Sequence, residues 1–433
     1  MTKKHSCFQL FSGCGDNLNN RGDHAMLLGI VNLLQEHAEH IPVVLNAINP
    51  PGFEDQISCQ IVWSPELYFI TKINSLSTNS PTLKRLFSCL LTGWLMINFK
   101  LFLLTSKCFI RDNSVLGFYS RLLQTKALIL TGGGYINSIW WLDGLHAKTC
   151  ISLLARMAKV PVILTSQGLG PYPNNIDKYI AEKLFRAANF IGVRDAEGSG
   201  ALVSAIAPGV RFYHTGDDSL LLKNMVSDRI SDIRKNLGLP EGKMLIGVNL
   251  RDSSSYDPLY KLSSHEQYAN LLDALVDTYD AHIVFVPISY HATDSDVENA
   301  TTIDKHMRSK ESTTVITSAL TPVEIKSLVS TFDYSIGISY HFLLFSLSQG
   351  IPSIGIYMNS YYQQKLSGLF NIYGTPQYCI DFSTIQRDGI AAIFSQLIDH
   401  NLQLSRTLSG RSAALDRTCE VSRKVLLSKV GDI

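Results

Sequence analysis

The chain has 433 residues, 45% of them hydrophobic and 17% charged, too long for one ordinary core and too apolar for disorder, so two large domains or three small ones are expected. Its 38 Lys and Arg nearly balance its 37 Asp and Glu for a formal charge of +1, which excludes the broad positive field of a dedicated nucleic-acid binder. A charge content below the roughly 25% usual in soluble domains leaves apolar surface to meet a partner, a membrane or a second copy of the chain.

The basic start MTKKHSCFQLFSGCG carries an apolar run that polar residues and glycine break too early for a secretory leader. Eight scattered cysteines form no CxxC pair and no zinc spacing, so free thiols in a reducing, cytoplasmic setting are expected. From Gly13, GCGDNLNNRGDHAMLLGIV leads from turn residues into a helix expected to begin near Asp23. The unpaired N–H groups of such a helix start suit an anion or a hydroxylated ligand, with Asn20 and Asp23 as candidates. The plainer alternative is Asp23 as N-cap after a glycine turn.

Short β-rich apolar runs alternate with helical periodicity along most of the chain, the pattern of βαβ units and a parallel sheet. Candidate strands begin near Ile41, Ala127, Val160, Phe190, Met244, His282, Tyr334 and Pro352. One stretch stands apart: Leu86–Leu104 carries a single charge, Lys100, directly after Lys84 and Arg85. Its length and flanks allow a core or dimer helix, a membrane-surface anchor or a crossing, and Asn98 and Lys100 near one end argue against the crossing. The helical stretch from Ser227 ends in Gly and Pro punctuation and marks a boundary, giving an N-terminal domain over 1–220 with an apolar insertion at 83–105. A second domain follows over 221–433, with its C-terminal stretch offered as a segment that packs back on the first.

The chemistry-bearing residues sit mostly at strand ends, where open α/β sheets place their ligands. Thr131-Gly132-Gly133-Gly134 and Ser166-Gln167-Gly168-Leu169-Gly170-Pro171 read either as close-approach loops for a ligand, with Gly133, Gly134, Gln167 and Gly168 as contacts, or as tight turns. Arg194 and Arg251 each precede an aspartate, Asp195 and Asp252, so each is a local ion pair or a bidentate grip on phosphate or carboxylate. Asp217 and Asp218 read as a cap in preference to sugar contacts. His291, Asp294 and Asp296 include a DxD that recurs often by chance, so neither metal nor cofactor is expected. Tyr340 and His341 open an apolar helix at a strand end, the position of a cleft-facing acid, base or donor.

Taken in order, these pieces resemble the polysaccharide pyruvyltransferase family: Asn20, Gly22 and Asp23; Gly132 to Gly134; Gln167 to Pro171; Val193-Arg194-Asp195 with Ser199; Gly216-Asp217; Gly247 to Arg251; His341; Gly350-Ile351-Pro352; Lys365 and Gly368. The resemblance implies an α/β fold of two Rossmann-like domains similar to GT-B glycosyltransferases, with an inter-domain active site, the acceptor on the first domain and the donor on the second. It implies pyruvyl transfer from phosphoenolpyruvate to sugar hydroxyls of a polysaccharide or lipid-linked precursor, with His341 as acid and Arg194 and Arg251 on the donor's anionic groups. Peripheral attachment at the inner face of a membrane and a homo-oligomer are compatible with it. Where the family usually carries Arg-Leu-His, this chain reads Ser339-Tyr340-His341, which removes a guanidinium clamp. The donor site, counted as Arg194, Arg251, Ser339, Tyr340 and Lys365, then either relies on Lys365 or takes another donor such as a nucleotide sugar. Glycosyl transfer and a non-catalytic partner in polysaccharide assembly are the competing readings.

Overall fold

The computed structural model describes residues 7–14, 18–53, 57–251, 264–291, 294–382, 385 and 387–431. They form two compact units, one of residues up to Leu18, Met26–Leu221 and the end of the chain from Thr418, the other of Asn19–Ala25 and Leu222–Arg417.

The first unit is built on seven strands: β1 (Cys7–Phe11), β2 (Val43–Ala47), β3 (Gln60–Trp63), β4 (Thr125–Leu130), β5 (Val162–Gln167), β6 (Phe190–Val193) and β7 (Tyr213–His214). All pair in parallel, in the order β3-β2-β1-β4-β5-β6-β7. Helices cover both faces, so β1, β2 and β5 are buried along their whole length, while the edge strand β3 has fully exposed residues and the edge strand β7 is half-buried. The alternation of side chains sorts the core: Leu128 and Leu130 of β4 join one apolar cluster, Ala127 and Ile129 the other.

The second unit repeats the plan with β8 (Leu245–Asn249), β9 (His282–Phe285), a small antiparallel hairpin of β10 (Tyr290–His291) and β11 (Asp294–Ser295), β12 (Thr313–Val315), β13 (Tyr334–Gly337), β14 (Ser353–Tyr357) and β15 (Cys379–Asp381). Its parallel sheet runs β12-β9-β8-β13-β14-β15. In both sheets the chain works outward from the first strand and then reverses, between β1 and β4 in one and between β8 and β13 in the other. Such reversals leave a crevice at the carboxyl ends of the two strands.

All eight expected strands are present, and β1, β3, β7, β12, β15 and the hairpin join them. The apolar stretch is a helix, Pro81–Thr105, started by Ser80, whose side chain accepts from Leu83 N, with proline in its first turn, and ended by Ser106 in the left-handed region (φ 59°). One expectation needs correcting. The helix predicted from Asp23 spans Arg21–His37, because Asn20 Oδ1 accepts from the N–H groups of Gly22 (2.9 Å) and Asp23 (3.2 Å). Asn20 is therefore the cap, and Asp23 lies in the first turn, where a carboxylate favours the helix dipole.

Candidate functional site

In the second unit the crevice between β8 and β13 gathers the segment Asn19–Ala25, Arg251, Asp296 and the start of the helix Tyr340–Ser348. Asn20 bridges Ser289, and Arg21 N donates to Ile288 O (2.8 Å). The Arg21 guanidinium donates to Leu320 O (2.8 Å) and lies over the Tyr290 ring, 4.9 Å from its centroid. Burial lowers its pKa, with Tyr290 and Glu324 acting against the shift. The capped helix start thus brings Gly22 against the imidazole of His341: a side chain added at Gly22 would overlap the His341 ring. Glycine at this position is a steric demand of the histidine.

His341 is buried, edge-on to Tyr340 at 5.3 Å between ring centroids. Lys365 on the helix Ser360–Ile372 sets its ammonium over the Tyr340 ring, 5.5 Å from its centroid. Ser339 holds the N-cap position of the His341 helix, yet its side chain makes no capping bond. Backbone N–H groups at the first turn of that helix therefore face the carboxyl end of β13, an arrangement suited to an anion.

Arg251 follows β8 and is engaged by a carboxylate, with Nε 2.7 Å from Asp296 Oδ1. The second oxygen of Asp296 accepts from Ile288 N (2.8 Å), Ser289 N (2.8 Å), Asn249 Nδ2 (2.9 Å) and Arg251 Nη2 (3.3 Å). This aspartate of the DxD is thus a structural acceptor that pins the strand end. The side chain of Asp294 and all of Asp252, the expected partner of Arg251, lie outside the described residues.

In the first unit, the crevice between β1 and β4 holds the glycine clusters. The Tyr135 ring fills the space that side chains at Gly13 and Gly133 would need, and Gly132 backs onto Ser166 and Asp218. Only Gly134 of the three glycines faces open space, so packing accounts for Gly132 and Gly133 and a ligand's approach remains for Gly134. Gln167 is buried, its amide donating to Leu130 O (3.2 Å), Thr131 O (2.8 Å) and Thr165 O (3.0 Å) where β5 slips register. Gly168 N donates to Gly133 O (2.9 Å), which joins the two turns.

Arg194, at the end of β6, pairs with Asp217, Nε to Oδ2 at 3.0 Å, where sequence spacing suggested its neighbour Asp195. Asp195 instead accepts from Gly198 N (2.6 Å), Ser199 N (2.9 Å) and Ser199 Oγ (2.8 Å), and Ser199 Oγ accepts from Leu169 N (3.1 Å). Asp217 also accepts from Ser219 N (2.9 Å) as a turn cap. Asp218 accepts from Ser166 and Thr165 hydroxyls, both at 2.5 Å. Its burial, reinforced by the charge of Asp217, raises its pKa to about 6 against those hydrogen bonds.

Two buried clusters escaped the sequence because their members are far apart in it. Lys148 Nζ lies 2.6 Å from Glu66 Oε1 and donates to Ser12 O (3.1 Å) at the end of β1. Burial raises the Glu66 pKa while the lysine opposes the rise. Ser88, His146 and Asp177 form a chain, Ser88 Oγ to His146 Nδ1 at 2.5 Å and His146 Nε2 to Asp177 Oδ1 at 3.0 Å. All three are buried, which closes them to substrate.

The model of the family described as polysaccharide pyruvyl transferase matches residues 20–360. The amylovoran biosynthesis protein AmsJ of Erwinia amylovora is 22% identical over 411 residues, covering 90% of this chain and 92% of that protein. Among solved structures, the UDP-GlcNAc 2-epimerase from Neisseria meningitidis, bound to UDP-GlcNAc, is similar with a TM-score of 0.61 at 13% identity, over 98% of this chain and 100% of that one. A UDP-glucosyltransferase from Polygonum tinctorium is similar with a TM-score of 0.55 at 11% identity, over the whole of both chains. These two likenesses establish a GT-B-like fold of two parallel-sheet α/β domains.

Proposed function

Because the chain belongs to the polysaccharide pyruvyl transferase family, and is therefore a transferase, we propose that it moves the pyruvyl group of phosphoenolpyruvate onto a saccharide in cell-surface polysaccharide biosynthesis. The acceptor is a polysaccharide or its lipid-linked precursor, and the work is cytoplasmic. One observation carries this reading: His341, Tyr340 and Lys365 meet at the β13 end of a strand-order reversal, beside the backbone of Gly22. In the reaction, His341 gives a proton to the methylene carbon of the donor, which leaves an oxocarbenium-like carbon. One sugar hydroxyl bonds to that carbon, a second replaces the phosphate, and the released protons and phosphate balance the ketal formed. Arg194 and Arg251 already neutralise Asp217 and Asp296, so an anionic donor would compete with a carboxylate at either one. Lys365 and the N–H groups after Ser339 are the better phosphate partners. Asn20, Asp23, Gly133, Gly134, Gln167 and Gly168 then act chiefly by shaping the two crevices, with Gly134 as the position open to the acceptor.

A second reading is favoured by one feature, the serine at 339 in place of the family's arginine: the chain takes a nucleotide sugar as a glycosyl donor. Thermal unfolding with phosphoenolpyruvate or with UDP-sugars separates the two, since a donor at about 100 times its Kd stabilises by about 2.7 kcal/mol. Stabilisation by phosphoenolpyruvate alone is expected. A shift with UDP-sugars alone would overturn pyruvyl transfer, and no shift with either would point to a non-catalytic role in polysaccharide assembly.

A further inference from the structure

We propose that the exposed face of the helix Pro81–Thr105 docks on an anionic lipid bilayer, the helix lying in the membrane plane while it stays locked to the first unit. The proposal stands on this surface alone and does not depend on the donor. Leu83, Phe87, Leu90, Trp94 and Ile97 recur every three or four residues, and Leu104 follows seven residues on past the half-buried Leu101, a stripe about 30 Å long. Leu90 is 67% exposed, Ile97 69% and Leu104 76%, a cost that a soluble surface does not ordinarily carry over such a length.

The opposite face is fastened at intervals along the helix. Arg85 Nε lies 2.9 Å from Asp177 Oδ1, and Ser88 joins the same carboxylate through His146. Tyr119 donates to Leu95 O (2.8 Å) and packs on Phe99 at 4.7 Å between centroids, and Asn98 Oδ1 accepts from Phe109 N (3.0 Å). Burial alone would raise the Asp177 pKa, but the hydrogen bonds from His146 and Arg85 outweigh it and keep the carboxyl well below the usual range. A crossing helix would have to break this buried ion pair. A helix that lies flat keeps it.

Charge selects the occupant. From residue 67 to residue 111 the chain has no Asp or Glu and, beside the Arg85 that Asp177 neutralises, has Lys72, Lys84, Lys100, Lys107 and Arg111. In a chain of formal charge +1, this is a local field that complements anionic headgroups. The exposed indoles of Trp94 and Trp140 suit the headgroup boundary. A second copy docked through the same face would set these cations against their own duplicates, an unfavourable pairing.

The full chain is floated with phosphatidylcholine vesicles, with and without phosphatidylglycerol, at low and high salt. Flotation with the anionic vesicles only, weakened by salt, is expected. Lys100→Gln and Lys107→Gln should each weaken it about fivefold, the worth of one cation near such a surface. Leu90→Glu with Ile97→Glu should abolish it, and because both side chains are exposed the thermal midpoint should stay unchanged. No flotation with anionic vesicles, or full flotation by the double glutamate variant, overturns the proposal. A dimer in light scattering that the same variant dissociates, without vesicle binding by the parent protein, would assign the face to a second copy and overturn it equally.

Discussion

Gly22 and His341 are more than three hundred residues apart in the chain and act as one feature, because the imidazole occupies the volume that any side chain at position 22 would take. Gly22→Ala should displace the ring from the end of β13 without opening a cavity. Turnover with the preferred donor is expected to fall at least about tenfold, short of the roughly 10²–10⁴ that a general acid contributes and that His341→Ala should remove. The unfolding midpoint should move by only a few degrees, since the helix cap at Asn20 is untouched. Steady-state kinetics beside a thermal melt reads both; full activity in Gly22→Ala would show that the ring does not owe its position to the glycine. Asp218 makes a second residue-level prediction. Its folded pKa, raised from 3.8 to about 6, exceeds the unfolded value, so between those pH values the folded state binds the extra proton. Its contribution to stability is fully present below about pH 4, is lost as pH rises through about 6, and is flat above, a change of at most about 3 kcal/mol. Asp218→Asn cannot titrate. Urea unfolding of both proteins from pH 4 to 8 should therefore show the parent losing ground to the variant across that window, and a constant difference would refute it.

At the scale of elements, sequence patterning locates the strands that are apolar throughout and misses those that are not. The central strand β1 carries Gln9 in its middle, which looks like a break in an apolar run. In the folded chain Gln9 is satisfied by donating to Thr125 Oγ1 (2.7 Å) and accepting from Asn46 Nδ2 (3.2 Å), a network between strands that no local pattern reveals. The edge strands β3, β7, β12 and β15 are two to four residues long and too short for periodicity to register. At the strand ends the residue types were legible and their partners were not. Glycines and arginines at carboxyl ends signal ligand approach, yet Gly133 is explained by the Tyr135 ring and Arg194 by Asp217. The nearest aspartate in sequence, Asp195, is consumed by its own turn. Local spacing names the candidates, and a buried charge then takes the partner that topology delivers.

The whole molecule repeats one strand order twice, and its last helix, Asn401–Gly431, belongs to both units by residue: up to Arg417 with the second, from Thr418 with the first. The first part buries Leu404, Leu408 and Leu415. The last part places Leu426 in the apolar cluster that holds Phe8, Ile129 and Phe190, and Ser422 donates to His214 O (2.7 Å) on β7. If the last turns are part of the first unit's core, Leu426→Ala should cost about 2–5 kcal/mol, as deletion of a buried leucine side chain does elsewhere. Truncation after Arg417 should cost more, since it also strips the β7 carbonyl of its donor. Hydrogen exchange resolves where the loss falls: amides of β1, β6 and β7 should exchange faster in the truncated chain, while those of β8, β9 and β13 keep their protection. Equal acceleration in both sheets would mean that the two units unfold as one, and no acceleration in either would mean that Leu426 is dispensable to the core that surrounds it.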